Sequence, residues 1–88
     1  MNVRYFAAAR AAAGVDEERY DLPEDATVAS LLAAILAVER PEPPAGTPPL
    51  ARLLSRSSLL LNEVAVRNRT AALKPGDVVD VLPPFAGG

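Results

Sequence analysis

A single amphipathic helix set among short strand-like segments constrains this fold more than any other feature. Apolar residues between positions 28 and 36 recur at the spacing that places them on one face of a helix. They are Val28, Leu31, Leu32, Ile35 and Leu36. Thr27 is a suitable N-cap, and Pro41 is expected to end the helix because proline cannot donate to the helical ladder. One apolar helix face needs one apolar partner surface, so the rest of the chain is expected to supply a sheet.

Short segments with strand character lie on both sides of this helix. Residues 1–6 and 18–22 alternate in part between apolar and polar side chains, which predicts two strands joined as a wide hairpin. After the helix, residues 58–61 form a short apolar run, and residues 63–66 resume the alternation beyond a tight turn. Residues 78–82 are rich in β-branched side chains and predict a last strand.

Three shorter signals complete the outline. The alanine-rich segment 7–13, followed by Gly14, predicts one or two helical turns with a left-handed cap. Thr47 is predicted to cap a second short helix with Pro48 in its first turn. The inward-facing residues of that helix would be Leu50, Leu53 and Leu54. Residues 74–77 carry proline and glycine at the two central positions of a type II turn.

The order of these elements predicts an α+β fold of the β-grasp (ubiquitin-like) type. It consists of a mixed sheet of four to five strands packed on one main helix plus a short second helix. A chain of 88 residues allows one domain, which we expect to span residues 1–82, with residues 83–88 as an extended C-terminal tail. Residues 41–49 hold five of the nine prolines and are expected to form a stiff loop, since neither side of it could build a core alone.

Composition excludes most self-sufficient enzyme chemistry. The chain has no cysteine and no histidine, so it offers no thiol nucleophile, no imidazole base and no soft metal ligand. Its net charge of −2 and its pI near 5.0 argue against nucleic acid as a partner. No apolar run is long enough to span a bilayer, and the N-terminus does not resemble a signal peptide. We therefore expect a soluble, cytoplasmic protein that binds no metal and no cofactor of its own.

The C-terminus is the strongest candidate for a functional site. The chain ends in Pro83-Pro84-Phe85-Ala86-Gly87-Gly88. Two prolines fix an extended exit from the sheet, and the four residues after them reach about 13 to 14 Å, far enough to enter the cleft of another protein. Glycines let the backbone pass where a side chain would clash. The reactive group is then the α-carboxylate of Gly88, an ionised and unreactive acyl group until a partner activates it. The alternative is a frayed end without function.

Other polar clusters favour plainer interpretations. Residues 16–18 and 24–25 are dense in carboxylates, and we expect them to form a solvated surface rather than a cation site. Asp77 and Asp80 could form an acid/base pair, but Asp77 is better placed to accept backbone hydrogen bonds in its turn. Arg67 and Arg69 stand at alternate positions and would give a small basic patch, either for a partner or for solubility.

Taken together, these residues resemble the ubiquitin-like sulfur carriers (the MoaD/ThiS-like family), most of all those that serve molybdopterin synthase. The resemblance spans most of the chain, and its most specific part is the closing motif. The segments that carry the resemblance are Val3-Arg4-Tyr5-Phe6-Ala7 with Arg10 and Gly14, the helix from Thr27 to Leu36, Leu61-Asn62-Glu63, and Leu73-Lys74-Pro75-Gly76-Asp77-Val78-Val79 leading to Leu82 and the tail. The proline-rich loop and the high alanine content lie outside the family pattern. Phe85-Ala86 stands at positions where members of the family usually have smaller residues.

The resemblance implies a mechanism. An E1-like adenylating enzyme would use ATP to activate the Gly88 carboxylate, and a persulfide sulfur donor would convert it to a covalent C-terminal thiocarboxylate. The tail would then deliver sulfur to a pterin precursor held by the large subunit of molybdopterin synthase, in molybdenum cofactor biosynthesis. The chain would act as a non-catalytic, sulfur-donating small subunit, with Gly87 beside the reacting carbonyl. Contacts to the partner are expected from Pro83, Pro84, Phe85, Ala86, Arg67 and Lys74.

Two alternatives stay open at this point. The same family includes carriers for thiamine or cysteine biosynthesis. The chain could also be a ubiquitin-like protein modifier conjugated through Gly88, in which case the carboxylate forms an amide with a target lysine.

Overall fold

A five-stranded mixed sheet forms one layer of the protein in a computed structural model that describes residues 1–84. The strands are β1 (Asn2–Tyr5), β2 (Glu17–Arg19), β3 (Ser58–Leu61), β4 (Val64–Ala65) and β5 (Val78–Leu82). They lie in the order β2-β1-β5-β3-β4. The first and last strands of the chain, β1 and β5, pair in parallel at the centre, and the other pairs are antiparallel. The predicted mixed sheet and the hairpin of the first two strands are confirmed.

Three helices cover one face of this sheet. They are α1 (Ala7–Ala13), α2 (Val28–Ala37) and α3 (Leu50–Arg56). Thr27 caps α2 as predicted: the Ser30 backbone N–H donates to Thr27 Oγ1 at 3.3 Å, and the Thr27 N–H donates to Ser30 Oγ at 2.7 Å. Gly14 ends α1 with a φ of 81°, the left-handed cap that the sequence predicted.

The core lies between the helices and the inner face of the sheet. Alternate residues of the two central strands point inward, and their side chains are fully buried; these are Val3, Val79 and Val81. The face of α2 that packs on them contributes Val28, Leu31 and Ile35, which are also fully buried. The predicted α+β, β-grasp arrangement follows from this packing.

Four details differ from the sequence prediction. Leu36 was predicted to lie on the buried face of α2, but it is 48% exposed, because the covered strip ends at Ile35. The helix also ends at Ala37, before Pro41 is reached. Pro49, not Thr47, is the N-cap of α3, since the two prolines before the helix keep the backbone extended. The second strand, β2, begins one residue early and ends three residues early.

Two turns lie where the sequence predicted them, although β4 (Val64–Ala65) is shorter than the predicted residues 63–66. Asn62 and Glu63 form the turn between β3 and β4, and both have positive φ, 49° and 70°. The turn of residues 74–77 leads into β5; the Asp77 N–H donates to the Lys74 carbonyl at 3.1 Å, and Gly76 has a φ of 90°. A positive φ at this position is what a type II turn requires.

Glu18 corrects the prediction of a solvated acidic segment. Its side chain forms a two-pronged ion pair with Arg40, at 2.7 Å to Nη1 and 2.8 Å to Nη2. The hydroxyls of Tyr5 and Tyr20 both donate to Glu18 Oε1 at 2.7 Å. The Arg40 guanidinium also lies 5.8 Å from the centre of the Tyr5 ring. We call Glu18, Arg40, Tyr5 and Tyr20 the polar clasp.

Within residues 1–84, no helix has both the length and the apolar character needed to cross a membrane.

Candidate functional site: the strand end that carries the tail

The tail leaves the body from the strand at the centre of the sheet. On one side of β5, Leu82 stands opposite Ser58 of β3, and on the other the Phe6 N–H donates to the Val81 carbonyl at 3.2 Å. Beyond the strand, Pro83 is half-buried and Pro84 is exposed. The body therefore holds the chain on both sides as far as the end of β5. The predicted tail residues Phe85, Ala86, Gly87 and Gly88 lie outside the described residues.

Apolar side chains surround this exit, a feature that sequence reasoning missed. Phe6 begins α1 beside the end of β5, and its side chain is 40% exposed. Leu60 and Leu82 are half-buried and lie on the outer face of the sheet, away from the helices. They alternate with the buried Leu59 and Val81, and this alternation is the signal that could have identified them. We call Phe6, Leu60 and Leu82 the exit surface.

An ion pair lies in the middle of the same outer face. Arg4 of β1 donates from Nε to one oxygen of Asp80 at 2.6 Å and from Nη2 to the other at 2.8 Å. Asp80 is 6% exposed, and its hydrogen bonding raises the pKa of the Arg4 guanidinium. Because the two residues stand opposite each other in the parallel β1–β5 pair, the charges bind the two central strands together. Asp80 is therefore engaged with Arg4 rather than with Asp77.

Asp77 stabilises the start of β5, as its turn position predicted. It accepts hydrogen bonds from Asn62 Nδ2 at 3.0 Å and from the Lys74 N–H at 2.8 Å. These bonds, the one from Asn62 most of all, lower the pKa of the Asp77 carboxyl. Asn62 Oδ1 in turn accepts from the Val78 N–H at 2.9 Å. Asp77 and Asp80 thus have separate structural partners, and the geometry gives no support to an acid/base pair.

The predicted basic contacts differ in how far they lie from the exit. Lys74 is exposed in the turn before β5, so the length of that strand, about 16 Å at roughly 3.3 Å per residue, separates it from Pro83. Arg67 and Arg69 are exposed on the loop after β4, where they border a shallow groove next to Ser57 and Ser58. Lys74 is therefore remote from the exit, whereas the groove beside Arg67 and Arg69 reaches Ser58, which pairs with Leu82 at the exit. Contact between these cations and a partner stays a prediction.

The outer face of the sheet offers a surface for contact with another protein. The charged pair of the outer face is internally neutralised, and the exit surface is apolar. An arrangement of this kind can dock on another protein.

Comparison with known families identifies the family of this chain. The chain matches the sequence model of the ThiS family over residues 3–88. It belongs to the ThiS family. This membership confirms the resemblance to the ubiquitin-like sulfur carriers that the closing motif indicated.

Several relatives of this ThiS-family chain match it almost end to end. The molybdopterin synthase sulfur carrier subunit of Chlamydomonas reinhardtii is 36% identical over 89 residues, which cover 100% of this chain and 98% of that protein. Among solved structures, the putative molybdopterin converting factor subunit 1 of Pyrococcus furiosus is 30% identical with a TM-score of 0.71, covering 96% of this chain and 95% of that one. SAMP1 of Haloferax volcanii is 26% identical with a TM-score of 0.77, covering 99% and 97%. These likenesses confirm the predicted fold.

Proposed function

We propose that this protein is the sulfur carrier subunit of a molybdopterin synthase. The observation that carries the proposal is the end-to-end match to a molybdopterin synthase sulfur carrier subunit at 36% identity. The position of β5 supports it, because the strand that leads into the tail lies inside the sheet and is paired on both sides. The protein would thus supply sulfur in molybdenum cofactor biosynthesis.

The sulfur would be carried on the C-terminal carbonyl. The Gly88 carboxylate attacks the α-phosphate of ATP in an E1-like adenylating enzyme, and pyrophosphate leaves. The terminal sulfur of a persulfide donor then attacks the carbonyl carbon and displaces AMP, which gives an acyl disulfide. A second thiol of the activating machinery attacks the donor's sulfur, forms a disulfide with it and releases the thiocarboxylate of Gly88. Adenylation is needed because a carboxylate has no good leaving group, and this chain contains no thiol, imidazole or other group that could supply one. We place the reaction in the cytoplasm.

The acceptor would be the large subunit of molybdopterin synthase, holding a pterin precursor. Gly87 and Gly88 have no side chains, so the end of the tail can enter a narrow active site. The exit surface would pack on the mouth of that site. Apolar groups around the base of the tail contribute most binding free energy when they are buried together with the tail. Docking would orient the sulfur-bearing end of the tail toward the pterin precursor. The large subunit would supply the acid/base groups for sulfur transfer.

A reconstituted transfer reaction tests this function. Thiocarboxylated carrier is mixed with the large subunit and the pterin precursor, and dithiolene product is measured over a single turnover. We expect product in proportion to the thiocarboxylate supplied, and none from a carrier that lacks Gly87 and Gly88. Failure of the thiocarboxylated carrier to give product, while the same preparation supports thiazole or cysteine formation with the corresponding enzymes, would assign it instead to thiamine or cysteine biosynthesis.

Protein conjugation is the second candidate function. The likeness to SAMP1, described as a small archaeal modifier protein, favours it. In that case the activated Gly88 carbonyl forms an amide with a lysine of a target protein. Antibody to this chain would then detect a ladder of heavier species in cell extracts, and deletion of Gly87 and Gly88 would abolish the ladder. A single band at the mass of the free chain would exclude conjugation.

A further inference from the structure

The proline-rich loop is a defined projection, which we call the proline arm (residues 41–49). Its first part, residues 41–46, is exposed except at Pro43, and a turn follows in which the Thr47 N–H donates to the Pro44 carbonyl at 3.0 Å. Gly46 has the positive φ of 88° that this turn needs. At the far end, Pro49 has φ −64° and ψ 149°, the dihedral angles of a polyproline II helix. The arm therefore consists of two extended stretches on either side of a turn.

The exposure pattern of the first stretch matches a polyproline II helix with one free edge. Such a helix has three residues per turn, so Pro41 and Pro44 lie on one edge and Pro43 lies on another. Pro41 and Pro44 are exposed, whereas Pro43 is half-buried. Proline rings fix φ, and each residue before a proline is held in the extended region. The free edge is thus set before any partner arrives, and binding it costs little conformational entropy.

The polar clasp fixes the base of the arm against β1, the strand next to β5. Arg40 directly precedes the arm and donates five hydrogen bonds, to Glu18, to Tyr20 and to the carbonyl oxygens of Ala13 and Ile35. It also lies over the ring of Tyr5, which stands opposite Val81 in the sheet, one residue before the end of β5. The base of the arm is therefore one strand away from the strand that carries the tail.

Exposed apolar and acidic side chains lie between the end of α2 and the proline arm. Leu36 and Val38, which immediately precede the base of the arm, are 48% and 39% exposed, although both are large and apolar. Glu39 and Glu42 are exposed, and within residues 1–84 neither carboxylate forms an ion pair. Apolar side chains left in water beside a preset proline edge are typical of a surface that another protein covers.

We propose that the proline arm is a second docking site for the large subunit of molybdopterin synthase, separate from the tail. The free edge of Pro41 and Pro44 fills an aromatic-lined groove on that subunit, because grooves of this kind bind polyproline II segments. Basic side chains border the groove and pair with Glu39 and Glu42. Leu36 and Val38 are covered by its rim. This inference rests on the proposed function, since it takes the acceptor of the tail as the partner.

Binding of single-proline variants to the large subunit encoded in the same genome tests the proposal. Pro41→Ala and Pro44→Ala should each raise the dissociation constant about tenfold, the effect of losing one well-packed side chain. Pro43→Ala is the matched control: it loosens the arm to the same extent but leaves the free edge intact, and it should change affinity much less. Thermal unfolding of each variant checks that the body is unaffected.

Charge reversal tests the acidic part of the surface. Glu42→Lys should slow association with the large subunit, and the difference from wild type should shrink as salt is added. Glu24→Lys, an equally exposed carboxylate outside the arm, should leave the association rate close to that of wild type.

The outcomes separate this inference from the proposed function. If Pro41→Ala and Pro44→Ala bind like wild type, or lose no more affinity than Pro43→Ala, the arm is only a spacer and the inference is wrong. A loss confined to adenylation by the activating enzyme would assign the arm to that enzyme and would also contradict it. If wild-type thiocarboxylated carrier neither binds the large subunit nor transfers sulfur to it, the proposed function has failed, and the arm's assignment to this partner fails with it.

Discussion

At the scale of single residues, Glu18 shows how much a side chain depends on partners distant in sequence. It lies in a run of acidic residues that indicated a solvated surface, yet it is the centre of the polar clasp. Hydrogen bonds from Arg40, and then from Tyr20 and Tyr5, lower the pKa of the Glu18 carboxyl to about 2, against the opposing effect of its burial. The same environment raises the pKa of the Tyr5 hydroxyl, chiefly through burial.

The first prediction concerns acid stability. Because the pKa of Glu18 in the folded protein lies below its ordinary value of 4.5, the ionised carboxylate stabilises the fold above that pH and ceases to do so as the pH falls toward about 2. In Glu18→Gln, the slope of the unfolding free energy against pH, measured by urea denaturation, should be smaller in this window. The decrease corresponds to at most about one fewer proton taken up on unfolding. Glu24→Gln, which changes an exposed carboxylate, is the control and should follow the wild-type curve. Identical slopes for wild type and Glu18→Gln would show that the clasp is not ionised as described.

A second residue-scale prediction concerns the exit surface. Phe6→Ser should weaken binding to the large subunit by about 1 to 3 kcal/mol, the range for an apolar side chain covered at an interface. Val15→Ser is a matched control, since Val15 is also 40% exposed but lies on the connection between α1 and β2. Equal effects of the two substitutions, measured by calorimetry, would argue against the exit surface.

The clasp also marks what could not be predicted from the sequence. Arg40 and Glu18 stand 22 positions apart, and neither periodicity nor local turn chemistry connects them. Thr27 and Asp77 were predictable because their partners lie three residues away, within one cap or one turn. The exposure of Leu36 could not be predicted either, because the width of the buried face of a helix depends on how the neighbouring elements pack against it.

At the scale of elements, the turn between β3 and β4 carries backbone strain. Asn62 tolerates its positive φ and uses its side chain to bind Asp77 and the Val78 N–H. Glu63 has a φ of 70° with no side-chain hydrogen bond among residues 1–84. A non-glycine residue in this region is disfavoured by roughly 1 to 2 kcal/mol. The sequence indicated the turn itself but not the cost at its second position.

Replacing Glu63 with glycine should therefore stabilise the protein. Glycine adopts positive φ without a steric penalty, so Glu63→Gly should raise the free energy of unfolding by about 1 kcal/mol. Glu63→Ala removes the same carboxylate but keeps the Cβ atom, and it should give no such gain. If both variants are equally stabilised in urea denaturation, repulsion between charges rather than backbone strain would be the cause.

At the scale of the whole molecule, the fold presents a chain end on a firm base. The first strand pairs in parallel with the last, the Arg4–Asp80 ion pair joins them, and the helices cover only the opposite face. One side of the sheet and the end of β5 are thereby left for a partner. The sequence predicted this architecture well because one apolar helix face and five short strands allow few closed arrangements.

Lengthening the tail should separate docking from transfer. One alanine added after Gly88 displaces the carboxylate by about 3.5 Å and leaves the body unchanged. We expect nearly normal binding to the large subunit and almost no sulfur transfer. Full transfer activity, with the added alanine shown by mass spectrometry to be still in place, would contradict a role for the terminal carbonyl.

The most direct measurement of the central claim is the mass of the C-terminal tryptic peptide, Thr70–Gly88, after incubation with the activating enzyme, ATP and a persulfide donor. This peptide contains no methionine, so oxidation of Met1 cannot imitate the change. The account predicts a mass increase equal to the replacement of one oxygen by sulfur, present only when all three components are supplied, and absent when Gly88 is deleted. A peptide that keeps its original mass while the same enzyme modifies an authentic carrier would contradict sulfur carriage by this chain.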